Sequence, residues 1–430
     1  MIIRKHAINN PSAFYGSCAA LAQDGSDSLM FYDIETTGLS SRESVIYLIG
    51  CMYDDGNGPV LTQFFSESPE EEADIIRAFN ELLLKHPVLV DYNGSTFDAP
   101  FIRARAEILG IGLNPITSEI DIYRLLKPFK NLLGLKSMRM KAMEQYLGIR
   151  RDDMYDGGEL IELYIKYVAK KKLEIMRGSV PDDSVSDAAP HVHERITTVF
   201  SDETGLRLIG SAASSELLEI LLLHNYEDII NLPDVALLTA LNGFIGGSFG
   251  VDGTELRESG GAVIFTLSGI DPAVTGILRR SFRNDIDSPS DLIRLTITPA
   301  GGLRTCVFIR IVNDTSIELV MEAAYRELKL FFANYRDYYY LLNEDYAIHK
   351  SIGRFMDRDV CIKCTAANCY TRKTGYFLPV FEKKGGALAD KAYLYRQNAP
   401  DKANYILAED LVADTSAARI YILQLLEALL

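Results

Sequence analysis

The stretch LMFYDIETTGL, residues 29–39, decides the fold of the first half of the chain. Its apolar start predicts a buried strand that runs directly into Asp33 and Glu35. Side chains two residues apart on a strand share one face, so the two carboxylates point to the same place. Like charges held this close repel each other, and another group must neutralise them.

The composition is that of a globular protein, and 430 residues are enough for two or three domains. A formal net charge of −15 argues against a surface that grips nucleic acid everywhere, but it is compatible with a local basic channel. The six unevenly spaced cysteines predict a reducing, cytoplasmic location instead of a disulfide framework. No run of about twenty apolar residues occurs, so we expect no membrane span.

The order of predicted elements after residue 28 indicates the fold class of the first domain. Two strands joined by a Gly/Ser turn are followed by alternating strands and helices, which predicts an α/β domain with a mixed central sheet. We place this domain at residues 28–242, after an N-terminal extension at residues 1–27. The polar, acidic segment 174–215 is expected to be a mobile insertion.

A glycine-rich segment, residues 243–262, predicts a linker to a second domain. Residues 263–430 then read as a C-terminal α+β domain of unknown role. Its pattern predicts a hairpin around residues 299–302 and an amphipathic helix near residues 316–334.

Further acids follow Asp33 and Glu35 in an order that suits a shared site. Asp98 lies in a loop just after an apolar strand, and His224 and Asp228 are four residues apart on one helix face. Two divalent ions about 4 Å apart can clamp both oxygens of a phosphodiester displacement. Because Mg²⁺ prefers oxygen ligands and histidine can accept a proton from water, the set predicts a hydrolytic metal site.

The motifs FYDIETTGL, YNGSTFDAPFI and HNYEDIINL resemble, in this order, the three motifs of the DEDD exonuclease superfamily, which has a ribonuclease-H-like fold. The segments EIDIYRLL, YLGIRR and HNYED are most similar to the YprB-type ribonuclease-H-like domain family. The resemblance covers about residues 29–240.

The resemblance implies a 3′-to-5′ exonuclease that acts on the 3′ ends of DNA or RNA with two Mg²⁺ or Mn²⁺ ions. It implies that Asp33, Glu35, Asp98 and Asp228 hold the ions and that His224 is the general base. The residues that it places beside the terminal nucleotide are Thr36, Thr37, Leu39, Asn93 and Phe97.

The spacing of His224 departs from the superfamily pattern. One branch usually has a histidine five residues before the last aspartate, and the other has a tyrosine four residues before it. His224 is four residues before Asp228 and so mixes the two branches. The alternative for His224 is a helix-face histidine bonded to Glu227 or Asp228, and the alternative for the acids is capping of loops and helices.

Basic residues are concentrated between residues 121 and 151, where eight Lys or Arg accompany two acids. This pattern suits contact with a phosphate backbone and equally an ordinary solvated helix face. Arg124 and Lys136 are the predicted substrate-binding cations. Asp121 is a candidate for supporting the metal ligands from behind.

Two patterns in the second half have weaker functional meaning. Tyrosines and basic residues alternate in residues 335–355, as in surfaces that stack bases, although tyrosines in a partly buried core are commoner. Cys361, Cys364, Cys369 and His349 have spacings that resemble part of a zinc site, but the second half of a zinc finger is missing. We therefore expect buried structural thiols.

Two other functions remain open from the sequence. One is a non-catalytic nucleic-acid-binding module that keeps the acids for structure. The other is a structure-specific endonuclease of the same fold.

Overall fold

The computed structural model shows a chain that folds into two compact units. The first contains residues 1–127 and 135–239, and the second contains residues 128–134 and 240–430. The structure describes residues 1–21, 28–176, 213–281, 292–297, 305–381 and 386–430.

The first unit is built on one six-stranded sheet. Its strands are β1 (Ile2–Ala7), β2 (Leu29–Thr36), β3 (Ile46–Asp54), β4 (Pro59–Phe65), β5 (Val88–Asp91) and β6 (Ser118–Asp121). Its helices are α1 (Ser12–Leu21), α2 (Glu72–Leu83), α3 (Asp98–Ile108), α4 (Ile122–Leu126), α5 (Met140–Leu147), α6 (Gly157–Met176), α7 (Ser214–Ile230) and α8 (Leu232–Ala236). The strand order is β1-β4-β3-β2-β5-β6. The β2–β5 and β5–β6 pairs are parallel and the others antiparallel, so the predicted mixed sheet is confirmed.

Helices cover both faces of this sheet. On one face α2 and α3 bury apolar side chains such as Phe79 and Phe101 against Met30 of β2. On the other face α6 and α7 pack against β3 and β4, where the ring of Tyr164 stacks on that of Tyr47 at 4.2 Å. With both faces covered, the central strands read as nearly continuous apolar runs, and the site acids interrupt β2.

The first strand changes the predicted N-terminal boundary. Ile2 pairs with Phe65 and Ala7 pairs with Val60, so β1 is an edge strand of the sheet. The predicted extension, residues 1–27, therefore contributes an element of the domain fold. Its short polar-apolar alternation was too brief to read as a strand without its partner β4.

The predicted mobile insertion, residues 174–215, has helical ends. Helix α6 continues to Met176 and α7 begins at Ser214. Residues 177–212 lie outside the described residues, so the prediction of mobility there is untested.

The second unit contains the remaining elements. Its strands are β7 (Gly250–Arg257), β8 (Ala262–Ser268), β9 (Leu292–Ile297), β10 (Thr305–Asn313), β11 (Ser316–Glu322), β12 (Ala324–Phe331), β13 (Tyr338–Leu341), β14 (Tyr346–His349), β15 (Cys361–Lys363), β16 (Tyr370–Pro379), β17 (Leu394–Tyr395) and β18 (Tyr405–Leu407). Its helices are α9 (Ala240–Ile245), α10 (Pro272–Ser281), α11 (Lys350–Gly353), α12 (Ala408–Ala413) and α13 (Thr415–Glu427). The described strands form three sheets: a five-stranded sheet β7-β8-β11-β10-β9, a four-stranded sheet β12-β16-β18-β17 and a three-stranded sheet β14-β13-β15. The predicted mixture of strands and helices is confirmed.

Two local predictions for this unit were wrong. Residues 316–334 form β11 and β12 instead of a helix, because Ile317, Leu319 and Met321 alternate into the core at the period of a strand. Sheet pairing overrides the helix propensity of the Glu-, Leu- and Ala-rich sequence. The predicted linker, residues 243–262, contains β7, which pairs with β8 along its length.

The two strands of the predicted hairpin near residues 299–302 are present as β9 and β10. Ile297 of β9 pairs with Thr305 of β10 in antiparallel register. The connecting residues 298–304 lie outside the described residues.

One helical run, Ser214–Ile245, is long and apolar enough to cross a membrane by length and composition. Half of its most apolar window is buried within the protein. A core helix of a folded domain passes the same criterion, and α7 in this run packs against the sheet.

Gly50 on β3 is where α7 comes closest to the sheet. A Cβ atom at Gly50 would lie 2.1 Å from Ile229 Cδ1 and 2.2 Å from Asn225 Oδ1. We expect Gly50→Ala to lower the free energy of unfolding by about 1–3 kcal/mol, because the core must shift to admit the methyl group. Urea titration followed by circular dichroism measures the change.

The matched control is Gly112→Ala, where no atom lies within 4 Å of the added Cβ. It should alter the free energy of unfolding by less than about 0.5 kcal/mol. Equal stability of the two variants would show that α7 is free to move away from β3.

Candidate active site

The end of β2 presents Asp33 and Glu35 on one open face. Pairing of β2 with β5 stops at Phe31, whereas pairing with β3 continues to Thr36 with an irregularity after Glu35. The last residues of β2 therefore extend past the end of β5. A strand irregularity beside a site re-aims the side chains that follow it.

Helix α7 crosses this face and brings His224, Asn225 and Asp228 to the two acids. Asn225 is fully buried, and its Nδ2 donates to Asp33 Oδ2 at 3.0 Å. Its Oδ1 accepts from Gln63 Nε2 at 2.9 Å, and Gln63 also donates to the carbonyl of Leu222. This chain of amides holds one oxygen of Asp33 in a fixed direction.

The helical spacing places His224 directly against Asp228. His224 Nε2 lies 3.2 Å from Asp228 Oδ2 and 3.6 Å from Glu35 Oε1. The alternative of a histidine bonded to Asp228 is thus part of the observed geometry. His224 also faces Glu35, however, so it is a member of the acidic site and not only of its own helix.

Asp153 is a site residue that the sequence reasoning missed. His224 Nδ1 lies 2.7 Å from Asp153 Oδ2, and Lys141 Nζ donates to the same oxygen at 3.0 Å. Glu227 accepts hydrogen bonds from the backbone N–H groups of Asp152 and Asp153, both at 2.9 Å, which ties the loop to α7. The signal was present in the sequence as RRDD, residues 150–153, directly after the helix that ends in Leu-Gly-Ile.

Arg151 is a second site residue, although the sequence pattern predicts it as part of a basic surface. Its side chain is 7% exposed, it forms an ion pair with Asp228, and its Nη2 donates to Glu144 Oε1 at 2.7 Å. Its Nη1 is buried without a hydrogen-bond partner, 3.8 Å from Asp153 Oδ2. Arg151 therefore points inward as a permanent cation of the acidic site.

Asp98 is the first residue of α3 and not a loop residue as predicted, and it directly follows a loop that Asp121 holds. Asp121 Oδ1 accepts from the backbone N–H of Asn93 at 2.9 Å, and its Oδ2 accepts from Ser95 Oγ at 2.6 Å. Asn93 adopts a left-handed conformation with φ 70°, which asparagine tolerates better than most residues. Asp121 thus fixes the loop that leads into Asp98, and it supports Asp98 indirectly, through the backbone of this loop.

Burial makes the acids strong competitors for protons. Burial, followed by the negative charge of Asp228, raises the pKa of both Asp33 and Glu35 well above their ordinary values. Burial, with the charges of Asp121 and Asp228, raises the pKa of Asp98 to about 7. Each carboxylate is thus destabilised in its charged form by its surroundings, and a cation would relieve this.

The pKa values of His224 and Asp153 are shifted so that the charged forms of both groups are favoured, in contrast to those of Asp33, Glu35 and Asp98. Burial lowers the pKa of His224, but the hydrogen bond to Asp153 and the charge of Asp228 outweigh it, and the pKa is raised overall. Burial opposes ionisation of Asp153, yet the hydrogen bond and charge of His224 lower its pKa to about 2. The pair therefore favours a charged Asp153 beside a basic imidazole.

The donor set fits divalent metal ions. Ligand atoms of Glu35, His224 and Asp228 lie within 4.8 Å of one another. Asp33 and Asp98 add carboxylate oxygens whose pKa is raised first by burial and then by the negative charges of neighbouring acids. Carboxylate oxygens are the ligands that Mg²⁺ and Mn²⁺ prefer, so the residues present suit the ions that the motifs implied.

The predicted nucleotide contacts after Glu35 lie on one loop. Thr36 Oγ1 donates to the carbonyl of Gly38, and Thr37 Oγ1 accepts from the N–H of Val45. Both hydroxyls thus shape the turn. Leu39 is 87% exposed at the tip of the same loop and is available to contact a ligand.

Asn93 lies in an exposed loop, whereas Phe97 packs partly into the core. Asn93 is exposed in the loop before Asp98. Phe97 packs partly into the core, with its ring 5.3 Å from that of Phe101. Phe97 therefore positions the start of α3 as well as bordering the pocket.

The predicted basic channel is only partly a surface feature. Arg124 is exposed and lies 3.6 Å from Asp121, and Lys136 is exposed in the loop before α5. Lys141, in contrast, is bonded to Asp153, and Arg151 is bonded to Glu144 and to Asp228. The count of eight basic residues overstates the free positive charge, because a sequence count does not show which cations are already paired.

The cysteine cluster of the second unit is a packed core. Cys361, Cys364 and Cys369 are free and buried, and Cys364 and Cys369 pack together. His349 is exposed and its Nδ1 contacts Ser351. The burial of all three thiols fits the expectation of structural cysteines.

Residues 30–180 match a family model described as RNase_H superfamily. This part of the chain is therefore a ribonuclease-H-like, nuclease-fold domain, and the predicted fold is confirmed. The match ends before α7, so the helix that supplies His224 and Asp228 lies beyond the matched residues.

A segment of 88 residues is 31% identical to a DNA polymerase of Methanocaldococcus jannaschii. It covers 19% of this chain and 5% of the polymerase, so the chain spans a small part of that relative's length.

Two solved structures show weak similarity. Exonuclease I of E. coli, in complex with an oligonucleotide, gives a TM-score of 0.24 at 15% identity over 35% of this chain and 44% of that chain. The family B DNA polymerase of Pyrobaculum calidifontis gives 0.28 at 15% identity over 71% of this chain and 34% of that chain.

The raised pKa of Asp98 predicts a specific pH dependence of stability. The folded state holds this proton more tightly than the unfolded state, in which the pKa is near its ordinary value of 3.8. The free energy of unfolding of the metal-free protein should therefore fall as pH rises from about 4 to about 7. Asp98→Asn should reduce this slope and raise the free energy of unfolding at pH 7 by on the order of 2 kcal/mol.

Urea denaturation in EDTA at several pH values measures the slope. Asp74→Asn, at an exposed position of α2, is the matched control and should leave the slope unchanged. An identical slope in wild type and Asp98→Asn would contradict the placement of Asp98 among the buried acids.

Proposed function

We propose that the first unit is a metal-dependent 3′-to-5′ exonuclease that hydrolyses phosphodiester bonds of DNA or RNA. The observation that carries the proposal is the convergence of one buried and three partly buried carboxylates beside a histidine that is oriented by an aspartate. Nuclease chemistry needs this combination of hard oxygen ligands and a proton acceptor.

The proposed metal ligands are Asp33, Glu35, Asp98 and Asp228. When bound, Mg²⁺ or Mn²⁺ ions would supply positive charge against the phosphate and make water more acidic. The protein contributes direction: Asn225 fixes Asp33, and Arg151 fixes Asp228. Residues that orient metal ligands in this way commonly alter metal affinity when replaced.

His224 is the proposed general base. Its Nδ1 faces Asp153, and its Nε2 is directed at Glu35 and Asp228, at the place where it would accept a proton from water. The charge of Asp153 stabilises the protonated ring that results. The direction of cleavage rests on the resemblance of the three motifs, and the exposed Leu39 borders the place expected for the terminal nucleotide.

One observation favours the non-catalytic alternative. Arg151 already forms an ion pair with Asp228, so the acids have a protein cation among them. Such a pair would suit acids that are kept for structure. Replacement of Asp33 separates the two functions, because Asp33 is not bonded to Arg151.

A cytoplasmic location remains our proposal. All six cysteines are free in the structure, which fits a reducing compartment.

Asp33→Asn should reduce nuclease activity by about a thousandfold or more, because it removes one charged metal ligand. The assay incubates labelled single- and double-stranded DNA and RNA with Mg²⁺ or Mn²⁺ and follows release of nucleotides. The control Asp74→Asn makes the same change of charge on an exposed helix and should retain activity.

Cleavage by Asp33→Asn at the wild-type rate would overturn the site assignment. Circular and 3′-blocked substrates test the exonuclease proposal separately: their cleavage at the same rate as open ends would favour an endonuclease. Tight binding by the wild type without any cleavage would favour the non-catalytic module.

His224→Ala should lower the rate by about 10²–10⁴-fold if His224 is the general base. Asp153→Asn should move the acidic limb of the pH–rate profile to lower pH, because loss of the Asp153 charge lowers the pKa of His224. Mn²⁺ titration, followed by electron paramagnetic resonance, tests the other role of His224. Unchanged Mn²⁺ affinity with a lowered rate supports a base, and weakened affinity would make His224 a metal ligand instead.

A further inference from the structure

The four-stranded sheet of the second unit closes into a small barrel. Its strand order is β12-β16-β18-β17, and residue 396, directly after β17, bridges back to β12. The N–H of Arg396 donates to the carbonyl of Lys329, and the N–H of Lys329 donates to the carbonyl of Arg396, both at 2.9 Å. The interior is filled by apolar and aromatic side chains, among them Leu328, Phe377, Tyr395, Tyr405 and Leu407.

Three cations lie side by side across the outside of this barrel. Lys329 pairs with Arg372 on one neighbouring strand and with Arg396 on the other. Directly paired residues point to the same face, so the three side chains form one row. Like charges directly opposite one another destabilise a sheet, and the row therefore has an unfavourable energy unless an anion lies against it.

The protein compensates the row only partly. Arg372 bonds to Asp345 and lies 3.3 Å from Glu327. Lys329 Nζ lies over the ring of Tyr370 at 4.2 Å. For Arg396 the structure shows the ring of Phe331 at 5.1 Å and the carbonyl of Ala399 at 2.8 Å.

Two of the three cations thus have aromatic or carbonyl partners. Among the described residues, Lys329 and Arg396 form no ion pair with a carboxylate. An aromatic face attracts a cation without cancelling its charge, so both remain able to hold an anion.

The strands of the barrel carry more basic than acidic residues. Residues 324–331, 370–379, 394–396 and 405–407 contain five Lys or Arg, at 326, 329, 372, 373 and 396, and one acid, Glu327. Arg326 and Lys373 alternate to the opposite face of the sheet, where Arg326 lies over the ring of Tyr405. The proposed face therefore has three cations and Glu327, and three minus one gives +2, in a chain whose formal net charge is −15. A local excess of positive charge suits a polyanion partner.

An aromatic pair lies farther along the same face. Tyr325 pairs with Tyr376, their rings are 5.0 Å apart, and Tyr325 is 66% exposed. Tyr325 is four residues from Lys329 on β12, about 13 Å along the strand. An exposed ring at this distance from a cation row can stack on a base while the cations contact phosphates.

We propose that this cationic barrel face, formed by Tyr325, Lys329, Arg372, Tyr376 and Arg396, binds single-stranded nucleic acid. A single strand offers unpaired bases to Tyr325 and a flexible backbone to the row of cations. Paired bases of a duplex are not free to stack on an exposed ring. The inference gives the second unit a function that does not depend on cleavage by the first.

Three tyrosines of the stretch 335–355 are held against a core. Tyr335, Tyr338 and Tyr340 pack against a buried cluster that contains Cys364 and Cys369. The aromatic and basic residues of 335–355 are neighbours in the sequence. The barrel face, in contrast, combines residues from Tyr325 to Arg396, about 70 positions apart.

The test measures binding by the full-length Asp33→Asn protein in EDTA, so that cleavage cannot interfere. Fluorescence anisotropy follows labelled single-stranded DNA and RNA at several salt concentrations. Lys329→Ala and Arg396→Ala should each weaken binding several-fold and reduce the slope of log K against log salt by about 0.7 for each lost phosphate contact.

Tyr325→Ala should weaken binding by about tenfold with an unchanged salt slope, because stacking does not release counterions. Lys329→Arg keeps the charge and should restore the slope. The matched control is Arg310→Ala, which removes an exposed cation from β10 on the five-stranded sheet of the same unit and should leave both quantities unchanged. Circular dichroism confirms that each variant is folded.

Wild-type affinity and slope in a folded Lys329→Ala, Arg396→Ala double variant would overturn the proposal. An equal loss in Arg310→Ala would show an effect of net charge alone and would also overturn it. Equal affinity for duplex DNA would refute the single-strand preference. If wild-type protein does not cleave but the barrel variants lose binding, the proposed exonuclease fails while this inference stands.

Discussion

Mutual repulsion among closely spaced carboxylates constrains the whole N-terminal unit. Asp33 and Glu35 project from the open end of β2, and Asp98 and Asp228 reach the same space from α3 and α7. Burial raises the free energy of the charged forms of Asp33, Glu35 and Asp98, so the fold must hold these acids together against an electrostatic cost. The surrounding contacts do this with amides, backbone N–H groups and one arginine, and the remaining negative charge is what suits the site to divalent ions.

Five consecutive residues of helix α7 make many of the contacts that hold the acidic site together. Within HNYED, His224 faces Asp153, Asn225 holds Asp33, Glu227 holds the loop backbone, and Asp228 meets Arg151. Tyr226, on another side of the helix, packs its ring 5.0 Å from that of His6. A rotation of the helix would break several of these contacts at once. The glycine at position 50 is what allows the backbone to come close enough for them to form.

Sequence patterns found the elements and acids that depend on local order. The alternation in LMFYDIET predicts a strand with Asp33 and Glu35 on one face, and the helical spacing of His224 and Asp228 predicts their contact. The patterns failed where a partner was needed. Residues 2–7 became a strand only beside β4, and residues 316–331 paired as strands despite good helix formers. Arg151 and Lys141 looked like free surface cations because their carboxylate partners are supplied by tertiary contacts.

The sequence by itself determined the mixed α/β domain, the strand that ends in two acids and the helix that carries two more site residues. These follow from apolar periodicity and from spacing along one element, which are local properties of the chain. Only the tertiary structure decided that Asp153 orients His224, that Arg151 belongs to the acidic site and that three cations form one row on the barrel. Each of these depends on which strand or loop lies beside another, and no spacing within a single element determines that.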